Sequence, residues 1–139
     1  MNQRFHAPQS RDYPIALREL RQGRKVTHWI WWIFPQLAAL GRSQRAREYG
    51  IRNLAEARDY LADPILRARL VEASEAVLAH SDTGIEDIMG PIDALKLRSC
   101  ATLFEAASNG KEPVFSRLLE TFYSGQRCPL TLAEIGPQA

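Results

Sequence analysis

The chain has 139 residues, enough for one domain whose core needs neither a metal nor a disulfide to hold it. With 45% hydrophobic and 24% charged residues it has an ordinary globular composition, and its longest strictly apolar run, Trp29 to Phe34, is far too short to cross a membrane. The formal net charge of +2 hides an asymmetry: residues 1–58 hold 11 Lys and Arg against 4 acids, and residues 59–139 hold 7 against 12. The two halves either neutralise each other within the fold or leave a basic face for an anionic partner.

In chain order, residues 1–11 read as an extended arm, with Phe5 its one large apolar residue and free to tuck against the body. No hydrophobic targeting segment occurs there, so a cytoplasmic location is expected by default. Asp12-Tyr13-Pro14 predicts a helix start, and Tyr13, Ala16, Leu17 and Leu20 form one apolar stripe before Gly23 stops it. Thr27 is placed to cap a short helix from His28 that Pro35 ends. Ser43 opens a short helix through Tyr49, and Asn53-Leu54-Ala55-Glu56 resembles a capping box. Asp63-Pro64 starts another helix, running to about His80. After a loop at 81–84 and a turn or two around Ile88, the segment Ile92 to Ser108 is apolar on nearly all sides and reads as the central helix. Asn109-Gly110 ends it, Pro113 opens the next, and Ser124-Gly125 closes that one. Thr131 to Glu134 makes a last capped turn before a loose tail at 136–139. No strand pattern occurs. The expectation is all-α, one domain over 1–139, with about six to eight helices.

The run Thr27-His28-Trp29-Ile30-Trp31-Trp32-Ile33-Phe34-Pro35-Gln36, with Gly41-Arg42-Ser43, resembles the signature of bacterial domain-of-unknown-function family 1810. The block Asp93 to Phe104 resembles that family's second conserved stretch, departing from it at Cys100-Ala101. This likeness implies a compact, mainly helical domain and brings no activity with it. A weaker likeness, in the early Trp/His-rich segment and at 104–125, is to the NADAR group. It implies a ligand of the ADP-ribose or NAD-derived class.

No nucleophile elbow, Walker sequence, HExxH, paired cysteines or GxGxxG is present, so neither a metal nor a cofactor is expected. Chemistry must come from isolated polar residues in apolar settings. Lys96, within the central helix, must find an anion: an internal partner such as Asp93 or Glu48, or a ligand's phosphate or carboxylate, with Ser99 helping. His28 is either a packed histidine or an acid/base held neutral at a helix N-terminus. Trp29, Trp31 and Trp32 cannot share one helix face, so some are core and at least one can offer a flat platform. Gln36 follows the bend at Pro35 and can bond backbone or ligand. The arginines at 42, 45, 47 and 52 form no recognition helix, so nucleic acid is not the expected partner.

The expected function is binding of a small anionic, nucleotide-like or ADP-ribose-like ligand in an aromatic and cationic pocket of His28, Trp29, Trp31, Trp32, Gln36, Lys96 and Ser99. Hydrolysis of an N-glycosidic bond could follow, with His28, Glu48 or Asp93 as acid or base. The competing expectation is a helical interaction module with no enzymatic activity.

Overall fold

The computed structural model describes residues 2–136. Its α-helices are α1 (His6–Arg21), α2 (Ile30–Ile33), α3 (Gln44–Glu48), α4 (Leu54–Ala62), α5 (Pro64–Leu78), α6 (Ile85–Met89), α7 (Pro91–Ser108), α8 (Pro113–Tyr123) and α9 (Pro129–Ile135), with 3-10 turns at Gln3–Phe5 and Ala38–Leu40. The fold is all-α: among the described residues the only β feature is one isolated bridge, Leu37 to Ile51. Among the described residues no helix is long and apolar enough to cross a membrane.

Helix α7 is the axis of the molecule, packed against α8, α4, α6 and α9, while α1 and α8 pack on α5. Its Leu97, Ala101, Leu103 and Phe104 are wholly buried. The expectation of an apolar helix buried on nearly all sides is too strong, because Ile92 and Leu95 stand 69% and 62% exposed. Thr102 and Arg98 on the same helix tie down a neighbouring segment. Thr102 Oγ1 accepts from the Cys128 N–H at 3.0 Å, and Arg98 donates to the Gln126 and Arg127 carbonyls at 2.7 and 2.9 Å. The chain after α8 is thereby laid back along α7.

Local signals set most boundaries. The carboxylate of Asp63 accepts from the Ile65 and Leu66 N–H groups at the start of α5, with Pro64 in the first turn. Asn53 and Ser43 cap α4 and α3 through Glu56 N–H and Ala46 N–H. Asn109 and Ser124 close α7 and α8 in the left-handed conformation.

Three boundaries differ from expectation. The stretch before Asp12 is not an extended arm: α1 begins at His6 and carries Pro14 inside it. Long-range bonds override the proline. Gln9 Nε2 donates to the Trp32 carbonyl at 2.7 Å and to Tyr60 Oη at 2.9 Å, Arg4 pairs with buried Glu56, and His6 bonds Asp63. Phe5 is fully buried, edge-on to Tyr60. The helix after Thr27 is shorter than expected, starting at Ile30 with no side-chain cap. The last helix starts at Pro129, and Thr131 is buried within it. Of the expected tail, 137–139 lies outside the described residues.

Between α2 and α4 the chain crosses itself closely. Ala38 N–H donates to the Ile51 carbonyl at 2.8 Å, and Ile51 N–H to the Gln36 carbonyl at 2.9 Å. Gly50 makes this possible, since a Cβ there would lie 2.7 Å from the Ala38 nitrogen, with neighbouring backbone unable to move aside cheaply. Gly50→Ala is expected to cost about 1–3 kcal/mol, as an overpacked site does. Chemical denaturation checks this, and an unchanged midpoint would contradict the crossing.

Candidate functional site

The site begins with Glu19, near the end of α1 and only 6% exposed. Gly23, at φ +82°, turns the chain so that residues 25–29 pass over this carboxylate. Glu19 Oε1 accepts from Val26 N–H at 2.8 Å, Thr27 N–H at 3.0 Å and Trp29 Nε1 at 3.0 Å, and Oε2 accepts from Thr27 Oγ1 at 2.7 Å. Burial alone pushes the carboxyl pKa up, but these four bonds outweigh it and bring the value down to about 2. Thr27 therefore spends its hydroxyl on Glu19 rather than on a helix cap.

The loop so held presents Lys25. Its side chain is 5% exposed, donates to the Thr27 carbonyl at 2.6 Å and pairs with Asp93 at 2.9 Å. Its ammonium lies 4.8 Å from the centre of the Trp29 ring. The second oxygen of Asp93 is 3.8 Å from Lys96 Nζ, so one carboxylate stands between two lysines. Lys96 is 26% exposed and lies 5.7 Å from the Trp31 ring centre, with Arg45 at 5.2 Å from the same ring. Trp31 Nε1 is buried and has no hydrogen-bond partner among the described residues.

Two depressions flank Lys96. The first, a cleft of about 330 Å³, is lined by Lys25, His28, Trp31, Gly90, Asp93 and Lys96. It lies at the N-terminus of α7, whose 18 residues start after Gly90 with no side-chain cap. Pro91 at its first position has no N–H, so the uncapped start offers the Ile92 and Asp93 N–H groups and the partial positive charge of a helix end, a setting that favours an oxyanion. The second, a groove of about 560 Å³, includes Arg42, Ser43, Leu95, Ser99 and Leu130. A space of about 10 Å³ beside Trp31, Gln36 and Lys96 holds no more than a single water.

The family model described as "Protein of unknown function (DUF1810)" matches residues 2–135. The chain belongs to the DUF1810 family. No curated protein matches it. The crystal structure of the conserved hypothetical protein Rv1873 from Mycobacterium tuberculosis is similar, with TM-score 0.93 and 41% sequence identity over 96% of this chain and 95% of that one.

In this DUF1810 chain the residues singled out from sequence do not all meet in one place. His28, Trp31, Asp93 and Lys96 share the cleft, and Gln36 and Ser99 line the groove on the other side of Lys96. His28 is exposed at the rim, two residues ahead of α2 and so not at a helix N-terminus. Ser99 is buried, with Oγ 3.2 Å from the Leu95 carbonyl and 3.3 Å from Cys128 Sγ. Trp29 and Trp32 belong to the core, because each indole N–H is spent on a carboxylate, Glu19 for Trp29 and Asp12 for Trp32 at 3.0 Å. Glu48 is exposed on α3 and lines neither depression. Lys25 is inconspicuous in the sequence, its one signal being its place ahead of the aromatic run, and Arg42 and Arg45 have no pattern there that ties them to the site. Among the described residues no three His, Cys, Asp or Glu side chains gather as metal ligands would.

Glu19→Gln is expected to destabilise the protein by roughly 2–4 kcal/mol at neutral pH, because donors to a buried carboxylate lose their charged acceptor. The folded pKa lies below the ordinary 4.5, so this stability is fully present above 4.5 and is lost as the pH falls through about 2. Unfolding of both proteins across that range checks it: the gap between them must narrow toward the acid end.

Proposed function

We propose that the chain binds a small phosphate-bearing anion in the cleft at the N-terminus of α7. The observation that carries this reading is the meeting of Lys25, Lys96 and an uncapped helix start around a single carboxylate, Asp93. Two ammonium groups and the helix end outweigh that one negative charge, so the cleft attracts a further anion. Asp93 holds the two lysines within reach of each other and their own repulsion is thereby offset. Nucleotides and ADP-ribose fall within the class and are the first ligands to test.

Binding is favoured over hydrolysis by what surrounds the candidate acids. Asp93 is engaged by both lysines, and Glu48 is outside the cleft. His28 at the rim is placed to touch a ligand oxygen. The other reading, a helical interaction module, draws on the exposed Ile92, Leu95 and Leu130.

Thermal shift and calorimetry with inorganic phosphate, AMP, ADP-ribose and NAD test the proposal. At least one is expected to raise the melting temperature, with an affinity that falls as salt rises. Lys96→Met removes one charged contact from a half-exposed position and should weaken binding roughly 10- to 100-fold. If no anion binds, or if Lys96→Met binds equally well, the cleft is not an anion site.

A further inference from the structure

Ile92 and Lys96 line both the cleft and the groove, so the two depressions are continuous along one face of α7. Positions 92, 95, 96 and 99 are spaced to share that face. Beyond Lys96 the character of the surface changes. Ile92, Leu95 and Leu130 are 69%, 62% and 68% exposed, and with half-buried Leu40 they gather in the groove. They are three of the seven large apolar side chains standing exposed among the described residues. Packing within the chain gives no reason for the cluster, and clustered exposed aliphatic groups mark a surface that something covers.

The groove's other lining residues narrow what that is. No Asp or Glu lines it, whereas Arg42 and Lys96 do. Its hydroxyls are engaged: Ser43 Oγ accepts from Ala46 N–H, and Ser99 Oγ sits against the Leu95 carbonyl and Cys128. No aromatic side chain lines it either. Nucleobases are recognised by stacking on rings and by hydrogen bonds to their edges; this groove offers no ring to stack on, and Gln36 and Arg42 are its polar groups that could meet an edge. Trp31, in the adjoining cleft, already has Arg45 and Lys96 against its ring.

We infer that the organic part of the bound phosphate ester is an aliphatic chain, so that the ligand is a soluble amphiphilic phosphate monoester. This rests on the anion-binding reading above. The phosphate lies at the N-terminus of α7 with Lys25 and Lys96, and the chain runs over Ile92 and Leu95 toward Leu130. From 92 to 99 the helix rises about 10 Å, room for a chain of medium length. The lining is concave and shared between α7, α9 and the 36–46 segment, which suits an enclosed monomer rather than the flat face of a bilayer.

Calorimetry with inorganic phosphate, ethyl, butyl and octyl phosphate, and AMP tests this, all below micelle-forming concentrations. Affinity is expected to rise roughly two- to fourfold per methylene along the alkyl series, as apolar burial requires, with AMP bound more weakly than octyl phosphate. Leu95→Ser and Leu130→Ser replace exposed residues, so they should flatten the series and leave inorganic phosphate binding unchanged. A flat series in the native protein, with phosphate still bound, overturns the inference and spares the anion reading. Tighter binding of AMP than of octyl phosphate assigns the groove to a base and also overturns it. Octyl phosphate binding that Lys96→Met leaves untouched overturns the shared site, because the chain then docks without its phosphate. Binding of no phosphate at all overturns both readings.

Discussion

The buried carboxylate of Glu19 is the constraint on which the rest of the site depends. A six-residue run of apolar and aromatic residues has no preference of its own for a four-residue helix, and a helix that short is not self-sustaining. What holds α2 and the loop before it is one acid that collects two backbone N–H groups, a hydroxyl and an indole N–H. Because the loop can take only one path across that acid, Lys25 enters from a fixed direction. Its backbone N–H meets the Ile88 carbonyl at 2.7 Å, and its ammonium meets Asp93. The end of α1, the end of α6 and the start of α7 are joined through that one residue.

The same logic accounts for how the two charge-biased halves of the sequence meet. Lys25 with Asp93 and Arg21 with Glu72 cross from the basic half to the acidic half. Other pairs, Arg4 with Glu56 and Arg127 with Glu105, stay within a half. Neutralisation inside the fold is therefore real but partial. Arg42 and Lys96 line the groove, Arg45 and Lys96 stand against the Trp31 ring, and the acids nearest them are Asp93 beside Lys96 and Glu134, which shares a neighbouring depression with Arg42. Part of the basic half's charge therefore lines a concave surface.

What was legible in the sequence is what local chemistry decides. Asp63-Pro64, Asn53 and Asn109-Gly110 mark helix ends because a cap or a left-handed residue acts on its own neighbours, and the structure places them where the pattern does. The start of α1 was not legible. Gln9 is polar and looks like surface, yet its amide is buried between Trp32 and Tyr60, partners 23 and 51 residues away. The cleft was half legible. Lys96, Asp93, His28 and Trp31 could be named because a charge or a ring in an apolar setting is conspicuous. Which tryptophans pack inward could not, since that depends on where Glu19 and Asp12 stand in three dimensions. Leu95 misled for the converse reason: an apolar residue in an apolar helix gives no sign that its own face was left uncovered.

The division of labour among the three tryptophans has an optical consequence. Trp29 and Trp32 are enclosed, with their indole N–H groups committed to carboxylates, and Lys25 lies over the Trp29 ring. Trp31 is half-buried at the cleft, between Arg45 and Lys96, with its N–H unengaged. Trp31 is the least enclosed of the three, and it stands against the charges that an arriving anion would rearrange. The chain thus carries a fluorophore of its own at the mouth of the cleft, and occupancy can be followed by its emission without any label.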